Sequence, residues 1–276
     1  GEVLGYDLWQ VVSEGPDERL NATACTQPAL LAAGIAVWRA WLERGGPQPV
    51  AFAGHSLGEY TALVAAGALD FEEAVALVEF RGRAMQDAVP TGAGAMAAIL
   101  GLDDDAVRAA CREAAGEGDI VEAANFNAPG QVVVAGHSLA VERAIEAAKA
   151  RGAKRAVLLP VSVPSHCMLM RPAAAQLAER LQSVTIRTPE RPVIHNVDAE
   201  VHNEPDAIRA ALVAQLDQPV RWVDCVQRLR EMGASRVFEL GPGKVLTGLA
   251  KRIDRELEAA AVQDSTTLDN SLNKTE

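Results

Sequence analysis

The sequence predicts an α/β protein: a large core of strands and helices, interrupted by a small β-α-β-β-α-β unit. Three observations predict it. The 276 residues are 49% hydrophobic but 4% aromatic, and alanine is abundant. That balance favours helices packed closely on a sheet over an aromatic-rich sandwich. Short apolar runs of strand length alternate with longer helical stretches. The pattern then changes after Pro90-Thr91-Gly92-Ala93-Gly94. The length suffices for one large domain, or for one with a smaller insert.

Taken in order, residues 27–42 form an apolar helical stretch that Gly45-Gly46-Pro47 ends. Residues 50–53 are a short apolar run, read as a central strand, and 57–66 are the helix after it. Asp70 is placed to cap a second helix, 71–88, with Glu72 and Glu73 in its first turn, where the helix dipole favours acids. Beyond the linker, 95–100 reads as a strand, 103–115 as a helix, 120–124 and 131–135 as strands, 139–151 as a helix and 156–161 as a strand. This is the order of a ferredoxin-like domain. The expected division is a discontinuous core, 1–89 and 161–276, around a small domain, 90–160. Strands at 193–196 and 236–240 and helices at 172–182, 205–215, 222–232 and 243–253 complete the core. The polar tail from Gln263 is expected to fray. The opening, Gly1 to Asp7, carries no start signal, and a strand is expected to precede it.

The formal net charge of −11 argues against a nucleic-acid binder. No apolar run reaches the ~18 residues of a membrane span, and no signal peptide is evident. Cys25, Cys111, Cys167 and Cys225 are scattered, with no C-x-x-C pair. They are expected to be reduced thiols in a cytoplasmic protein. A monomer is expected.

Gly54-His55-Ser56-Leu57-Gly58 lies between the strand at 50–53 and the helix at 57–66. Gly-x-Ser-x-Gly in that context is a nucleophile elbow. The serine takes a strained conformation that lifts its hydroxyl clear of the sheet, and glycines avoid clashes at the tight turn. The helix N-terminus favours developing negative charge, and the Leu57 N–H can serve as one oxyanion donor. A look-alike, Gly136-His137-Ser138-Leu139-Ala140, also joins a strand to a helix. Its fifth residue is alanine, and Ser138 is expected to be a helix N-cap.

Helix 71–88 carries apolar residues at Phe71, Ala74, Val75, Val78 and Met85, the spacing of a buried face. Arg81 falls on that stripe, so its cation points inward, whereas Arg83 lies near Glu79 and Glu72 on the solvated side. A buried guanidinium needs an anion. Its fork suits a carboxylate ligand, but a salt bridge to a protein acid, or snorkelling, fits the spacing equally well. An activated serine also needs a neutral imidazole. Of five histidines, His166 is the best placed, after a strand and Pro164-Ser165 on the return from the small domain. His55 adjoins Ser56 but points elsewhere in an elbow.

At these residues the chain resembles a known family. Gly54-His55-Ser56-Leu57-Gly58-Glu59-Tyr60 is similar to the active-site motif of the malonyl-CoA:acyl-carrier-protein transacylases of type II fatty acid synthesis. Asn125-Phe126-Asn127-Ala128-Pro129-Gly130-Gln131, Val163-Pro164-Ser165-His166-Cys167 and Gly241-Pro242-Gly243-Lys244-Val245-Leu246 are similar to further segments of that family. The resemblance runs through nearly the whole chain, in order. It implies an α/β-hydrolase-like core with a parallel sheet, plus an inserted ferredoxin-like domain. It implies Ser56 as nucleophile, His166 as its base, Gln215 as the residue whose backbone carbonyl orients that base, and Leu57 as an oxyanion donor. Arg81 would grip the malonyl carboxylate, with Met85 and Asn127 near the acyl pocket. Malonyl-CoA and acyl carrier protein would be the partners, and no metal or redox cofactor is implied. The family's opening strand and Gly-Gln-Gly-Ser-Gln motif, source of a second oxyanion donor, are not in the sequence given. A polyketide-synthase-type acyltransferase and a serine esterase are the alternatives. Acyl carrier proteins are acidic, so a basic docking patch is expected, from Lys244, Lys251 and Arg252 or from Arg151, Lys154 and Arg155.

Overall fold

A computed structural model describes residues 1–161 and 163–273. Three helices open the chain: α1 (Leu8–Glu14), α2 (Asp17–Asn21) and α3 (Thr23–Glu43). The first two were not anticipated. Asp7 starts α1 by accepting from the Gln10 N–H, a local cap on an otherwise unpatterned segment. Next come β1 (Phe52–Ala53), α4 (Leu57–Ala65) and α5 (Phe71–Asp87). Asp70 caps α5 through the N–H groups of Glu72 and Glu73. The predicted stripe is its buried face, with Ala74, Val75, Val78, Arg81 and Met85 inward.

The small unit comprises β2 (Gly94–Leu100), α6 (Asp104–Ala114), β3 (Val121–Ala128), β4 (Gln131–His137), α7 (Ser138–Ala150) and β5 (Arg155–Leu158). Its sheet runs β3-β4-β2-β5, antiparallel throughout. The two helices and one sheet face bury their own apolar cluster, including Ile99, Val107, Val132, Val134, Val141 and Ala144. This is the ferredoxin-like arrangement.

After a short 3-10 turn (Met168–Met170), the core continues with α8 (Arg171–Leu181), β6 (Val193–Ile194), α9 (Pro205–Asp217), α10 (Trp222–Glu231), β7 (Arg236–Leu240), α11 (Val245–Ile253), β8 (Glu258–Val262) and α12 (Ser265–Leu272). Its strands are parallel: β1 pairs with β6, and β7 with β8. An apolar groove of about 640 Å³ is lined by residues of both β1 and β7, with Trp38 and Trp41 from α3. The tail differs from expectation. Asp264 and Thr267 form a reciprocal capping box at the start of α12, and Leu268 packs with Trp38, Trp41 and Val262. Local capping plus one buried leucine order a segment that composition alone marks as frayed; its last three residues lie outside those described.

Candidate active site

The elbow forms where β1 turns into α4. Ser56 adopts φ 52° and ψ −107°, a region that costs a non-glycine residue on the order of 1–3 kcal/mol. Gly54 makes the turn possible, because a Cβ there would stand 2.0 Å from the Gly58 carbonyl carbon. The crowding runs one way: a Cβ on Gly58 would meet nothing within 4 Å. Clearance is therefore the role of Gly54, not of both glycines. Asn196, just past β6, clamps the turn. Its Oδ1 accepts from the Ser56 N–H at 2.7 Å and its Nδ2 donates to the Gly54 carbonyl at 2.8 Å.

His166 reaches the same point from the segment between β5 and the 3-10 turn, beyond the end of the strand expected to lead into it. It is 3% exposed and, like Ser56, has positive φ, at 62°. Its N–H donates to the Leu216 carbonyl at 3.1 Å. Its Nδ1 lies 2.6 Å from the Gln215 carbonyl oxygen, and its Nε2 lies 2.8 Å from Ser56 Oγ. A carbonyl only accepts, so Nδ1 carries the proton and Nε2 offers its lone pair to the serine. Burial, and then the Arg81 charge, lower the His166 pKa from 6.5 to about 3, against the opposing pull of the Gln215 carbonyl. The imidazole is thus held neutral, the state a general base requires.

Arg81 is 1% exposed, so it does not snorkel. Nη1 donates to Gln27 Oε1 at 2.8 Å, and Nη2 donates to Gln215 Oε1 at 2.9 Å and to Ser56 Oγ at 3.1 Å. All three acceptors are neutral, and Nε has no partner among the described residues. Among the described residues no salt bridge to a protein acid forms, the alternative that the spacing left open. Burial lowers the Arg81 pKa, but a guanidinium stays charged in proteins. A buried cation that no carboxylate contacts directly among the described residues is therefore aimed at the Ser56 hydroxyl.

The other predicted residues fall around this centre. Leu57 opens α4, so its N–H lies outside the helix's own ladder, next to Ser56. Gln215 is fully buried on α9 and contributes both its carbonyl and its side chain. Met85 lies one turn beyond Arg81, with its Sδ 3.6 Å from Gln27 Nε2. Asn127, at the end of β3, bonds through Oδ1 to His55 Nε2 at 2.8 Å, and so braces the neighbour of Ser56 rather than the reacting groups themselves. Ser138 is not a cap: it is the first residue of α7, and its hydroxyl donates to the Gly92 carbonyl at 2.7 Å. Sequence reasoning missed Gln27, Glu59 and Asn196. Glu59 stands in the elbow motif, and Gln27 is a polar residue on an apolar helix, so each left a faint signal; Asn196 left none beyond its place after a strand.

A strained serine paired with a neutral histidine, a free N–H beside it and an inward cation define the site of an enzyme that transfers acyl groups through a serine ester. Residues 1–268 match the family model for an acyl transferase domain. The malonyl CoA-acyl carrier protein transacylase of Escherichia coli (strain K12) is 57% identical over 261 residues, covering 95% of this chain and 84% of that protein. The one from Bacillus subtilis (strain 168) is 47% identical over 268 residues, covering 97% and 84%. Among solved structures, an acyl carrier protein S-malonyltransferase from Vibrio cholerae is 56% identical, with a TM-score of 0.95 and 98% and 88% of the two chains covered. A malonyl-transacylase in complex with a type II PKS acyl-carrier protein is 55% identical, with a TM-score of 0.97 and 99% and 88% covered. The chain belongs to the acyl transferase family, in its malonyl-CoA:acyl-carrier-protein transacylase branch.

Proposed function

We propose that this chain transfers the malonyl group of malonyl-CoA to the phosphopantetheine thiol of an acyl carrier protein, supplying chain extension in fatty acid synthesis. The observation that carries the reading is the position of Ser56 Oγ, between His166 Nε2 at 2.8 Å and Arg81 Nη2 at 3.1 Å. A base and a carboxylate-binding cation thus face one hydroxyl.

The chemistry follows from these contacts. The malonyl carboxylate pairs with Arg81 and displaces its weak bond to the serine. His166 Nε2 takes the Ser56 proton as Oγ attacks the thioester carbonyl. The resulting imidazolium keeps its Nδ1–H on the Gln215 carbonyl. The Leu57 N–H holds the oxyanion. Collapse expels CoA, whose thiolate receives the proton from His166, and malonyl-Ser56 remains. The carrier's thiol then attacks in the reverse sense, giving ping-pong kinetics. No metal or redox group takes part in this scheme.

Two cationic segments that are far apart in sequence meet in one recess, where Lys154 and Arg155 lie beside Arg252, next to Pro129 and Gly130. Those two residues follow Asn127 in the chain, and the clustered cations support this recess as the place where an acidic carrier would dock. The free, buried cysteines support a reducing, cytoplasmic setting, and the protein acts as a monomer built from the core and the 90–160 domain. One observation favours a second destination for the malonyl group: the relative bound to a type II PKS carrier. An esterase is disfavoured, because the third triad position is a backbone carbonyl and the arginine is unpaired.

The test is acyl selectivity. Acetyl-CoA leaves the Arg81 cation unpaired, so Arg81→Ala is expected to lower kcat/KM for malonyl-CoA about 100-fold while changing acetyl transfer little. Equal losses for both substrates would contradict the assignment.

A further inference from the structure

Glu59 takes no direct part in this scheme, yet two of its three partners hold reacting groups. It is the third residue of α4 and is fully buried. Its Oε1 lies 2.7 Å from His195 Nδ1, and its Oε2 accepts from the Asn196 N–H at 2.9 Å and from Gln215 Nε2 at 2.8 Å. Asn196 is the clamp on the Ser56 elbow. Gln215 Nε2 also donates to the Ser56 carbonyl at 3.0 Å, while its Oε1 accepts from Arg81.

An amide side chain has a donor end and an acceptor end, whereas a carboxylate only accepts. Glu59 therefore turns the Gln215 nitrogen toward α4 and its oxygen toward Arg81. Cation, amide and anion stand in a row: Arg81 Nη2, Gln215 Oε1 and Nε2, Glu59 Oε2. A direct Arg81–Glu59 pair would close the guanidinium fork, and any incoming carboxylate would have to break that pair. With the amide between them, the buried positive charge is offset and oriented, but the fork stays open.

We propose that Glu59 is a positioning residue for acyl-group selection: through the Gln215 amide it holds the Arg81 guanidinium in front of Ser56, unpaired and ready for an acyl group that bears a carboxylate. The proposal rests on the reading of Arg81 as the partner of the malonyl carboxylate.

The experiment measures acylation of Ser56 by malonyl-CoA and by acetyl-CoA in the full chain and in three variants. Glu59→Gln keeps the size but removes the anion and the acceptor-only character. It is expected to lower malonyl kcat/KM at least about tenfold more than acetyl kcat/KM, with a raised malonyl KM, as for groups coupled in one network. Gln215→Leu deletes the amide but leaves the main-chain carbonyl under His166. It is expected to give the same selective loss, and it decides the matter if Glu59→Gln does not fold. Support for the elbow alone would affect both acyl groups equally, so equal losses, or none, overturn the proposal. Arg81→Ala separates the two levels. If it shifts the malonyl-to-acetyl ratio while the other two variants do not, the role of Glu59 fails alone. If it leaves the ratio unchanged, the reading of Arg81 fails with it.

Discussion

Two serines in this chain follow a strand and a Gly-His pair, and they have opposite fates. At Ser56 the backbone is forced to positive φ, and the hydroxyl faces an imidazole and a guanidinium. At Ser138 the preceding residue, His137, is ordinary extended backbone, at φ −63° and ψ 139°. There the hydroxyl is taken up by the Gly92 carbonyl, and the His137 ring accepts from the Ile120 N–H. Both sites need their first glycine, for different reasons. A Cβ at Gly54 would strike the helix that follows, at Gly58, whereas one at Gly136 would strike the backbone at the start of β3, 2.1 Å from the Ile120 carbonyl oxygen. The pentapeptide therefore sets only the possibility of an elbow. The clamp from Asn196 and the imidazole of His166, both far along the chain, give the Ser56 hydroxyl the setting that the proposed nucleophile needs.

The largest effect should come from removing the proposed nucleophile. Ser56→Ala is expected to lower malonyl transfer by about 10⁴-fold or more, whereas Ser138→Ala should leave the rate unchanged; steady-state transfer to holo-carrier measures both. Next is the turn. Gly54→Ala is expected to cost about 3 kcal/mol, because its Cβ meets backbone that cannot step aside. Gly58→Ala should stay within about 1 kcal/mol, since its Cβ meets open space. Denaturant melts of the two variants would reverse the account of the elbow if Gly58→Ala were the worse.

The pH profile is a finer probe. With the His166 pKa lowered to about 3, acylation should be flat from pH 8 to about 5 and show no midpoint near the ordinary histidine value. Below pH 6.5 the unfolded His166 binds a proton that the folded one refuses until about pH 3. Native stability therefore falls as pH drops through that window, by at most about 1.4 kcal/mol per pH unit from this group. An acylation midpoint near 6.5 would mean a solvated base. The smallest effect should be the stability of Ser138→Ala, which loses one hydroxyl bond to Gly92 worth about 0.5–1.5 kcal/mol.

The small antiparallel unit was legible because its turns and strand alternation are local; each predicted element there lies within a few residues of the observed one. The stretch of β8 was not. Glu258-Ala-Ala-Ala-Val262 is as good a helix sequence as a strand, and its pairing with β7 decides the matter. α12 hid behind polar composition until Leu268 found the tryptophans of α3. In the site, the elbow and the inward Arg81 follow from local spacing. The neutral character of the Arg81 partners does not, because Gln27 and Gln215 reach it from α3 and α9, encounters that no local pattern encodes. Glu59 and Asn196 were hidden for the same reason: they bond each other across 137 positions of chain.

The most direct test is a brief incubation with malonyl-CoA, without carrier, followed by intact mass and a peptide map. The account predicts one malonyl adduct on Ser56, none on Ser138, none in Ser56→Ala, and loss of the adduct on adding holo-acyl carrier protein. A folded protein that takes up no malonyl group, or carries it on another residue, would contradict the assignment of Ser56 as the nucleophile.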